Sequence, residues 1–408
     1  MIIDIIQIIV NYSDYPHNFS CIKINKFCYE NVYIYELYAS NYFNQNILEQ
    51  NKFSRLKKLF LCDNYEKTLN LCFLKNSLEE LRCSGFRSHI DQNCINDLHK
   101  LKKLICDDNP KIHDISQFAE TLEILSCGGR SKIVQSSLVH LQKLKKLVCI
   151  KNTNIKDVNH LSDTLHELSC GGSGIDQSGI QSLKFLKKLY CDYDNKITSV
   201  THLYNTLEDL DCSGNDSISQ HDLNNLEKIK ILKCNDCKYI TDLNSLSNTL
   251  EVLQCNRVLS MKTNGIAKLI KLKELHCTDC PNIKTVNHLA DTLEILYCSH
   301  SSGINRLGLI KLKKLRKLNC NGNKKIKNIN HLISLESLDF GDTKIDHPDI
   351  TQLPNLKWLD NGYIYTYNHA KQKNDFHDYY CLHSASLRDG NEKCIKDLIY
   401  ENGKLMLF

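Results

Sequence analysis

Cysteine is the residue type in this sequence with the clearest chemical potential. The chain of 408 residues contains 21 cysteines, and two pairs have CxxC spacing: Cys234 with Cys237, and Cys277 with Cys280. Two such pairs, suitably separated, would supply the four thiolates of a tetrahedral zinc site. In a small secreted protein, so many cysteines would instead predict disulfide bonds.

The spacing of these cysteines argues against both kinds of chemistry. Cys234 and Cys277 occupy the same position of a frame, L-x-x-L-x-C, that recurs along most of the chain. The pairs lie two frames apart, which on stacked parallel strands separates them by roughly 10 Å. One zinc ion cannot bridge that gap, because a Zn–S bond is about 2.3 Å long. We therefore predict no metal and no cofactor, and cysteines that act as small core residues in a reducing compartment.

The frame predicts one short strand per turn of a repeat. Its fourth and sixth positions are two residues apart, so on a strand both side chains point to the same side. The copies are spaced 20–23 residues apart, and the first positions of the fifteen copies are Leu56, Leu78, Leu101, Leu122, Leu144, Leu165, Leu186, Leu207, Ile229, Leu250, Leu272, Leu293, Leu315, Leu335 and Leu356. Twelve copies have cysteine at the sixth position: Cys83, Cys106, Cys127, Cys149, Cys170, Cys191, Cys212, Cys234, Cys255, Cys277, Cys298 and Cys320.

This frame resembles the leucine-rich repeat, in particular the leucine-rich-repeat proteins of giant DNA viruses such as mimivirus. The resemblance implies an α/β-repeat solenoid of about 15 turns with a parallel, concave β-sheet. We place the solenoid at residues 51–365, between a short helical N-terminal cap and a helical C-terminal tail. The concave face is the expected ligand surface, because solenoids bind their partners there.

A longer period is superimposed on the single repeat. Thr121, Thr164, Thr206, Thr249 and Thr292 are spaced 42–43 residues apart, so the repeating unit is a pair of turns. The second frame position alternates between basic and acidic side chains, as in Lys57, Glu79, Lys102, Glu123 and Lys145. Adjacent strands would pair these opposite charges, so the lysines form no basic patch. With a net charge of only +5, we predict no nucleic-acid partner.

Other residues that could do chemistry follow the same period. His160, His202, His288 and His331 recur at equivalent positions, which favours a structural role. The segment Cys170–Gly174 is glycine-rich but lacks the Lys-Ser/Thr of a phosphate-binding loop. We find no nucleophile–base arrangement and predict that the chain is not an enzyme.

The fifth frame position supplies the candidate binding residues. Phe60, Ile105, Val148 and Tyr190 occur there on alternate strands, and we call these four residues the apolar stripe. His276 and Tyr297 are further candidates in the second half of the chain. An exposed apolar stripe predicts a protein partner. The alternative is a cross-strand cluster that stabilises the sheet and binds nothing.

Residues 1–50 resemble an F-box. The matching residues are Asp4, Ile5, Ile6, Ile9, Tyr12, Phe19, Ile22 and Ile24–Phe27, although the usual Leu-Pro opening is absent. The resemblance implies an adaptor that recruits substrates to a host cullin-type ubiquitin ligase, with Ile5, Ile6, Ile9, Ile22 and Phe27 contacting the ligase's adaptor subunit. The alternatives are a simple helical cap on a binding scaffold with no ubiquitin role, and an enzyme, which the sequence disfavours.

The chain ends and its hydropathy complete the expectations. No secretory signal and no run of about 18 apolar residues is visible, so we predict no membrane partner and a location in the cytoplasm or nucleus of a host cell. Residues 366–408 contain a linker and a segment, Leu382–Gly403, that resembles one ankyrin repeat. A single ankyrin repeat is not stable alone, so we predict a helical hairpin that caps the solenoid.

Overall fold

The computed structural model describes residues 33–360 and two short strands near the C-terminus. The chain divides into two compact units, Met1–Thr198 and Ser199–Phe408, which we call unit 1 and unit 2. In both units the main element is a strand of three or four residues that recurs once per turn.

Unit 1 contains eight described strands, each paired in parallel with the next one along the chain. The strands are β1 (Glu36–Ala39), β2 (Lys58–Leu61), β3 (Glu80–Arg82), β4 (Lys103–Ile105), β5 (Ile124–Ser126), β6 (Lys146–Val148), β7 (Glu167–Ser169) and β8 (Lys188–Tyr190). The predicted parallel sheet with one strand per frame is confirmed.

Unit 2 continues the pattern with eight more strands in a parallel run. They are β9 (Asp209–Asp211), β10 (Ile231–Lys233), β11 (Val252–Gln254), β12 (Glu274–His276), β13 (Ile295–Tyr297), β14 (Lys317–Asn319), β15 (Ser337–Asp339) and β16 (Trp358–Asp360). Two further strands, β17 (Leu398–Glu401) and β18 (Lys404–Leu407), pair in antiparallel fashion.

The helices of the described part are short, and they occupy the connections that follow the strands. The α-helices are α1 (Gln45–Leu48), α2 (Gln92–Ile95), α3 (Gln135–Leu138), α4 (Gln220–Asn224), α5 (Arg306–Leu309) and α6 (His347–Thr351). The 3-10 helices are Asn51–Phe53, Cys72–Leu74, Ser116–Phe118, Asn159–Leu161, Gln177–Ile180, Thr201–Leu203, Asn244–Leu246, Thr263–Ile266 and Asn287–Leu289.

In the two turns of each pair, different side chains form the hydrogen bonds to the backbone of the following turn. The Gln135 side-chain oxygen accepts from the backbone N–H groups of Lys156 at 2.9 Å and Asp157 at 3.0 Å in the next turn. In that next turn Asn159 bonds forward instead, and its amide donates to the Ser178 carbonyl at 2.8 Å. Gln92 and Gln220 repeat the first arrangement, and Asn244 and Asn287 repeat the second. The predicted two-turn unit is therefore present in the hydrogen bonds between side chains and the backbone.

The core includes the side chains at the fourth and sixth frame positions. Buried asparagines beside them form hydrogen bonds to backbone carbonyls of neighbouring turns. Leu147 and Cys149 are fully buried, as are their equivalents in the neighbouring turns. The buried Asn152 amide donates to the carbonyls of Cys127 at 2.9 Å and Ile133 at 3.2 Å. Asn109 and Asn323 make the equivalent pairs of bonds. Carbonyls that would otherwise be buried without a partner are thereby satisfied.

The predicted ladder of alternating charges is confirmed within each unit. In unit 1, Glu79 contacts Lys57 at 3.4 Å and Lys102 at 2.9 Å. In unit 2, Glu336 contacts Lys357 at 2.9 Å and Arg316 at 2.7 Å. These pairs are largely exposed, so each contributes only weakly to stability.

Two predicted helical regions are strands in the structure. The segment Val32–Leu37 was expected to be helical, but Glu36–Ala39 forms β1 because Ile34, Leu37 and Ala39 are one more copy of the frame. At the other end, Leu398–Glu401 was expected in the second helix of an ankyrin-like hairpin and forms β17. The Asn402–Gly403 dipeptide that follows is a strong β-hairpin turn signal. The rest of the helical cap and tail predictions lie outside the described residues.

The ion pairs of Glu336 predict a pH-dependent contribution to stability. Hydrogen bonds from Arg316 and Lys357 lower the pKa of the Glu336 carboxyl to about 2. A carboxyl whose pKa is lower in the folded state stabilises the fold above its unfolded pKa, and this contribution disappears as pH falls through the folded value. We expect Glu336→Gln to destabilise the protein above about pH 5 and to have little effect once the pH is well below about 2.

Urea denaturation of both proteins across this pH range measures the difference. Glu227→Gln, which changes an exposed glutamate outside the ladder, is the matched control and should show a much smaller difference. A Glu336→Gln effect that is the same at both ends of the range would contradict the ion-pair account.

Candidate protein-binding surface

The sheet surface of unit 1 alternates large and small side chains from strand to strand. The strand register places Ile105, Ser126, Val148, Ser169 and Tyr190 side by side on β4 to β8. The three large side chains are half-buried, whereas Ser169 is only 6% exposed. Large residues on every second strand therefore form ridges, and each serine lies at the floor of a shallow groove between two ridges.

An aromatic pair forms one end of this surface. Phe60 on β2 is half-buried, and its ring stacks on Tyr38 of β1 with centroids 4.6 Å apart. Tyr38 is 55% exposed. It was missing from the predicted site because β1 was assigned to a helix. The spacing would have revealed it, since Ile34 lies 22 residues before Leu56 and places Tyr38 at the fifth frame position.

Charges beside the stripe are neutralised in pairs. Lys58 contacts Glu36 at 2.9 Å, and Lys103 contacts Glu80 at 2.5 Å. Lys146 and Glu167 form a third pair at 2.5 Å. Arg82, which lies between Phe60 and Ile105 on the sheet, is paired with Asp63 at 3.1 Å. Balanced charge thus borders the stripe from β2 to β7, whereas Lys188 on β8 is exposed beside Tyr190.

The two candidate residues of unit 2 form a separate polar–aromatic cluster. His276 and Tyr297 are partners on β12 and β13, and their rings stack with centroids 4.1 Å apart. The His276 ring nitrogen Nε2 lies 2.6 Å from a Glu274 carboxylate oxygen. The Lys317 ammonium lies 5.3 Å from the centroid of the Tyr297 ring. Each ring already has partners in its own unit, so this cluster is less suited than the stripe to receive an apolar ligand.

The CxxC cysteines bond to backbone carbonyl groups. The Cys237 thiol donates to the Cys212 carbonyl at 3.2 Å, and the Cys280 thiol donates to the Cys255 carbonyl at 2.9 Å. This is the bond that asparagine makes in other turns, as between Asn109 and Cys83. Among the described residues, no cluster of three or more His, Cys, Asp or Glu side chains could hold a metal ion.

Three of the periodic histidines also lie within hydrogen-bond distance of backbone carbonyls. Nε2 of His160 lies 3.0 Å from the Leu138 carbonyl, and His288 and His331 make the equivalent contact with Ile266 and Leu309. Burial lowers the pKa of all three rings, which favours their neutral form. The structural role predicted for these three histidines is confirmed.

The glycine-rich segment after β7 is a turn. Gly172 has a φ of +65°, in the left-handed region that favours glycine. A Cβ atom on Gly171 would lie 2.8 Å from the Asp192 carbonyl oxygen. These glycines therefore serve close backbone packing between neighbouring turns.

Comparison with known proteins identifies the fold. Neither a scan against family models nor a search of curated proteins found a match. Among solved structures, the functional domain of InlJ from Listeria monocytogenes, which includes a cysteine ladder, is 25% identical with a TM-score of 0.55. That match covers 79% of this chain and 71% of the InlJ domain. The fold is a leucine-rich-repeat solenoid.

A second solved structure has the same fold and a different kind of ligand. TLR13 in complex with the single-stranded RNA ssRNA13 is 19% identical to the solenoid with a TM-score of 0.52. The match covers 81% of this chain and 57% of the TLR13 chain. At this identity the similarity concerns the fold alone.

The predicted F-box contacts lie outside the described residues. Ile5, Ile6, Ile9, Ile22 and Phe27, the predicted F-box contacts, all precede residue 33. Within the described residues, no helix is both long enough and apolar enough to cross a membrane.

The burial of most cysteines, which we call the cysteine column, predicts that only a few thiols react. None of the seventeen described cysteines forms a disulfide bond, and only Cys62 and Cys72 are partly exposed. Burial raises the pKa of thiols such as Cys149 and Cys170, so they stay protonated and unreactive. The hydrogen bond to Asp97 raises the pKa of the Cys72 thiol, which should slow its reaction.

We expect native alkylation near neutral pH to modify Cys62, and Cys72 more slowly, among the described cysteines. Peptide mass mapping identifies the modified sites. The same reaction in denaturant should modify all seventeen and serves as the control. Rapid labelling of Cys149 or Cys255 in the native protein would show that the column is accessible.

Proposed function

We propose that the sheet surface of unit 1 is a protein-binding surface and that the chain is an interaction module without catalytic activity. The observation that carries this proposal is the row of half-buried apolar side chains bordered by neutralised charge. The leucine-rich-repeat fold, which this chain shares with the InlJ domain and with RNA-bound TLR13, supports a binding role.

The geometry disfavours a stripe that serves only the stability of the sheet. Ile105, Val148 and Tyr190 lie two strands apart, about 9.6 Å, with a serine between neighbours. Side chains on directly paired strands are about 5 Å apart and stabilise one another, but these are too far apart to do so. Tyr38 and Phe60, which lie on directly paired strands, do form a stacked pair. Partly exposed apolar groups favour contact with a partner.

The charge distribution favours a protein over a nucleic acid. RNA binding requires basic side chains that are free to contact phosphates. Lys58, Lys103 and Lys146 beside the stripe are instead paired with glutamates on adjacent strands. The RNA complex of TLR13 is therefore not a guide to the ligand of this chain.

The binding surface can be tested by removing its ridges. Val148→Ser together with Tyr190→Ser should reduce capture of the partner at least about tenfold, because central apolar anchors dominate binding energy. Quantitative mass spectrometry of proteins retained from host-cell extract measures capture, and thermal unfolding checks that the fold is intact.

The matched control makes the same substitutions elsewhere. Val139→Ser with Tyr204→Ser changes residues that are 45% and 44% exposed but lie away from the strands. A protein retained by the wild type and the control but lost by the stripe variant supports the proposal. Equal retention by all three proteins would refute it.

A narrower hypothesis is an adaptor for a host cullin-type ubiquitin ligase. It rests on the F-box resemblance of residues 1–50 and on the relation to giant-virus leucine-rich-repeat proteins, and it places the protein in the cytoplasm or nucleus of a host cell. In this arrangement the N-terminus binds the ligase's adaptor subunit and the unit 1 surface selects the target.

Charged substitutions in the F-box-like segment test this hypothesis. Ile9→Asp with Phe27→Asp in the full chain should abolish co-purification of the adaptor subunit, because both residues belong to the predicted apolar contact. Lys23→Asp, in the same segment but outside the matching residues, is the control. If the wild type does not retain the subunit, the chain is a scaffold with no ubiquitin role.

A further inference from the structure

We infer that the unit 1 surface binds an uncharged peptide segment in the polyproline II conformation, with an apolar side chain at every third residue. This inference rests on the proposed function, because it names the class of partner for the same surface. The observation that leads to it is the spacing of the grooves over Ser126 and Ser169.

The groove spacing is set by the strands. The grooves lie on β5 and β7, and the ridges at Ile105, Val148 and Tyr190 lie on β4, β6 and β8. Strands in a sheet are about 4.8 Å apart, so equivalent features recur about every 9.6 Å along the surface. A ligand that fills successive grooves must present side chains at this interval on one face.

Polyproline II has the required period. It has three residues per turn and rises about 3.1 Å per residue, so residues i and i+3 share a face and lie about 9.3 Å apart. From Ile105 to Tyr190 the ridges and grooves span four strand spacings, about 19 Å. Six polyproline residues also span about 19 Å, so the two patterns stay in register over this part of the stripe.

The other regular conformations fit less well. A β-strand repeats its face every second residue, about 6.7 Å, so its neighbouring side chains would fall on a groove and then on a ridge. An α-helix presents residues i and i+7 about 10.5 Å apart, and the mismatch grows to about 2 Å over the two intervals from Ile105 to Tyr190. Polyproline II also keeps its backbone polar groups solvated, so it needs no hydrogen bonds from the sheet surface.

The chemistry of the surface agrees with this geometry. Aromatic side chains stand at both ends, Phe60 stacked on Tyr38 at one and Tyr190 at the other. Aromatic-lined grooves are the usual recognition surface for proline-rich segments. Two of the flanking lysines are already paired, Lys103 with Glu80 and Lys146 with Glu167. A charged ligand would have to disrupt these pairs, whereas an uncharged one would not.

Peptides that differ only in the spacing of their apolar residues test the inference. The probe is a fluorescein-labelled peptide that repeats Leu-Pro-Pro over about twelve residues. The control peptide has the same composition, with its leucines placed next to one another in pairs. We expect the full-length protein to bind the probe at least about tenfold more tightly than the control, measured by fluorescence anisotropy.

Two variants locate the binding to the grooves. Ser126→Leu should weaken probe binding about tenfold by filling a groove, and Val148→Ser should weaken it by removing a wall. Ser182→Leu, at an exposed position in the turn before β8, is the matched control and should bind like the wild type. Thermal unfolding of each variant confirms that the fold is retained.

The outcomes separate this inference from the proposed function. Equal binding of the two peptides, or no binding of either, overturns the polyproline inference. If partner capture still depends on Val148 and Tyr190, the protein-binding surface stands and its ligand has another conformation. If capture does not depend on them, both proposals fail.

Discussion

The structure depends on the fact that no turn of the repeat can bury its own polar backbone and apolar face. Hydrogen bonds from side chains to backbone groups join each turn to its neighbour. Asn152 makes such bonds, and Cys237 makes one where other turns have asparagine. Gln135 and Asn159 make further bonds of this kind on alternate turns. These bonds occupy the polar side chains and thiols that might otherwise suggest chemistry. In its described part, the chain therefore uses these cysteines and histidines to join neighbouring turns.

The two-turn period relates the hydrogen bonds of the connecting segments to the side chains on the sheet surface. In unit 1, the turns that begin with a glutamine, such as Gln92, Gln135 and Gln177, lead into the strands that carry Ile105, Val148 and Tyr190. The intervening turns lead into strands with small or ion-paired residues at the same register. One repeat of about forty residues thus sets the hydrogen-bond pattern, the charge ladder and the spacing of the ridges. We propose that the same period selects the ligand.

Much of this could be predicted because a repeat turns one-dimensional spacing into three-dimensional position. The frame placed Phe60, Ile105, Val148 and Tyr190 on one surface, and the strand register confirms it. The failures came where the frame was weaker. Ala39 replaces cysteine in the first described turn, so β1 and Tyr38 were missed. Near the C-terminus, resemblance to a helical motif was given more weight than the Asn402–Gly403 turn signal.

The sequence alone determined the number of parallel strands between Leu56 and Asp360, their order, and which side chains face the core, because the frame repeats at a constant spacing. It also determined the alternation of charge along the ladder. Only the tertiary structure decided how those side chains are used. Whether Cys280 binds metal or a carbonyl, and whether Val148 touches its neighbours or stands alone, depends on distances between turns. Those distances come from stacking, which a pattern of residue types does not contain.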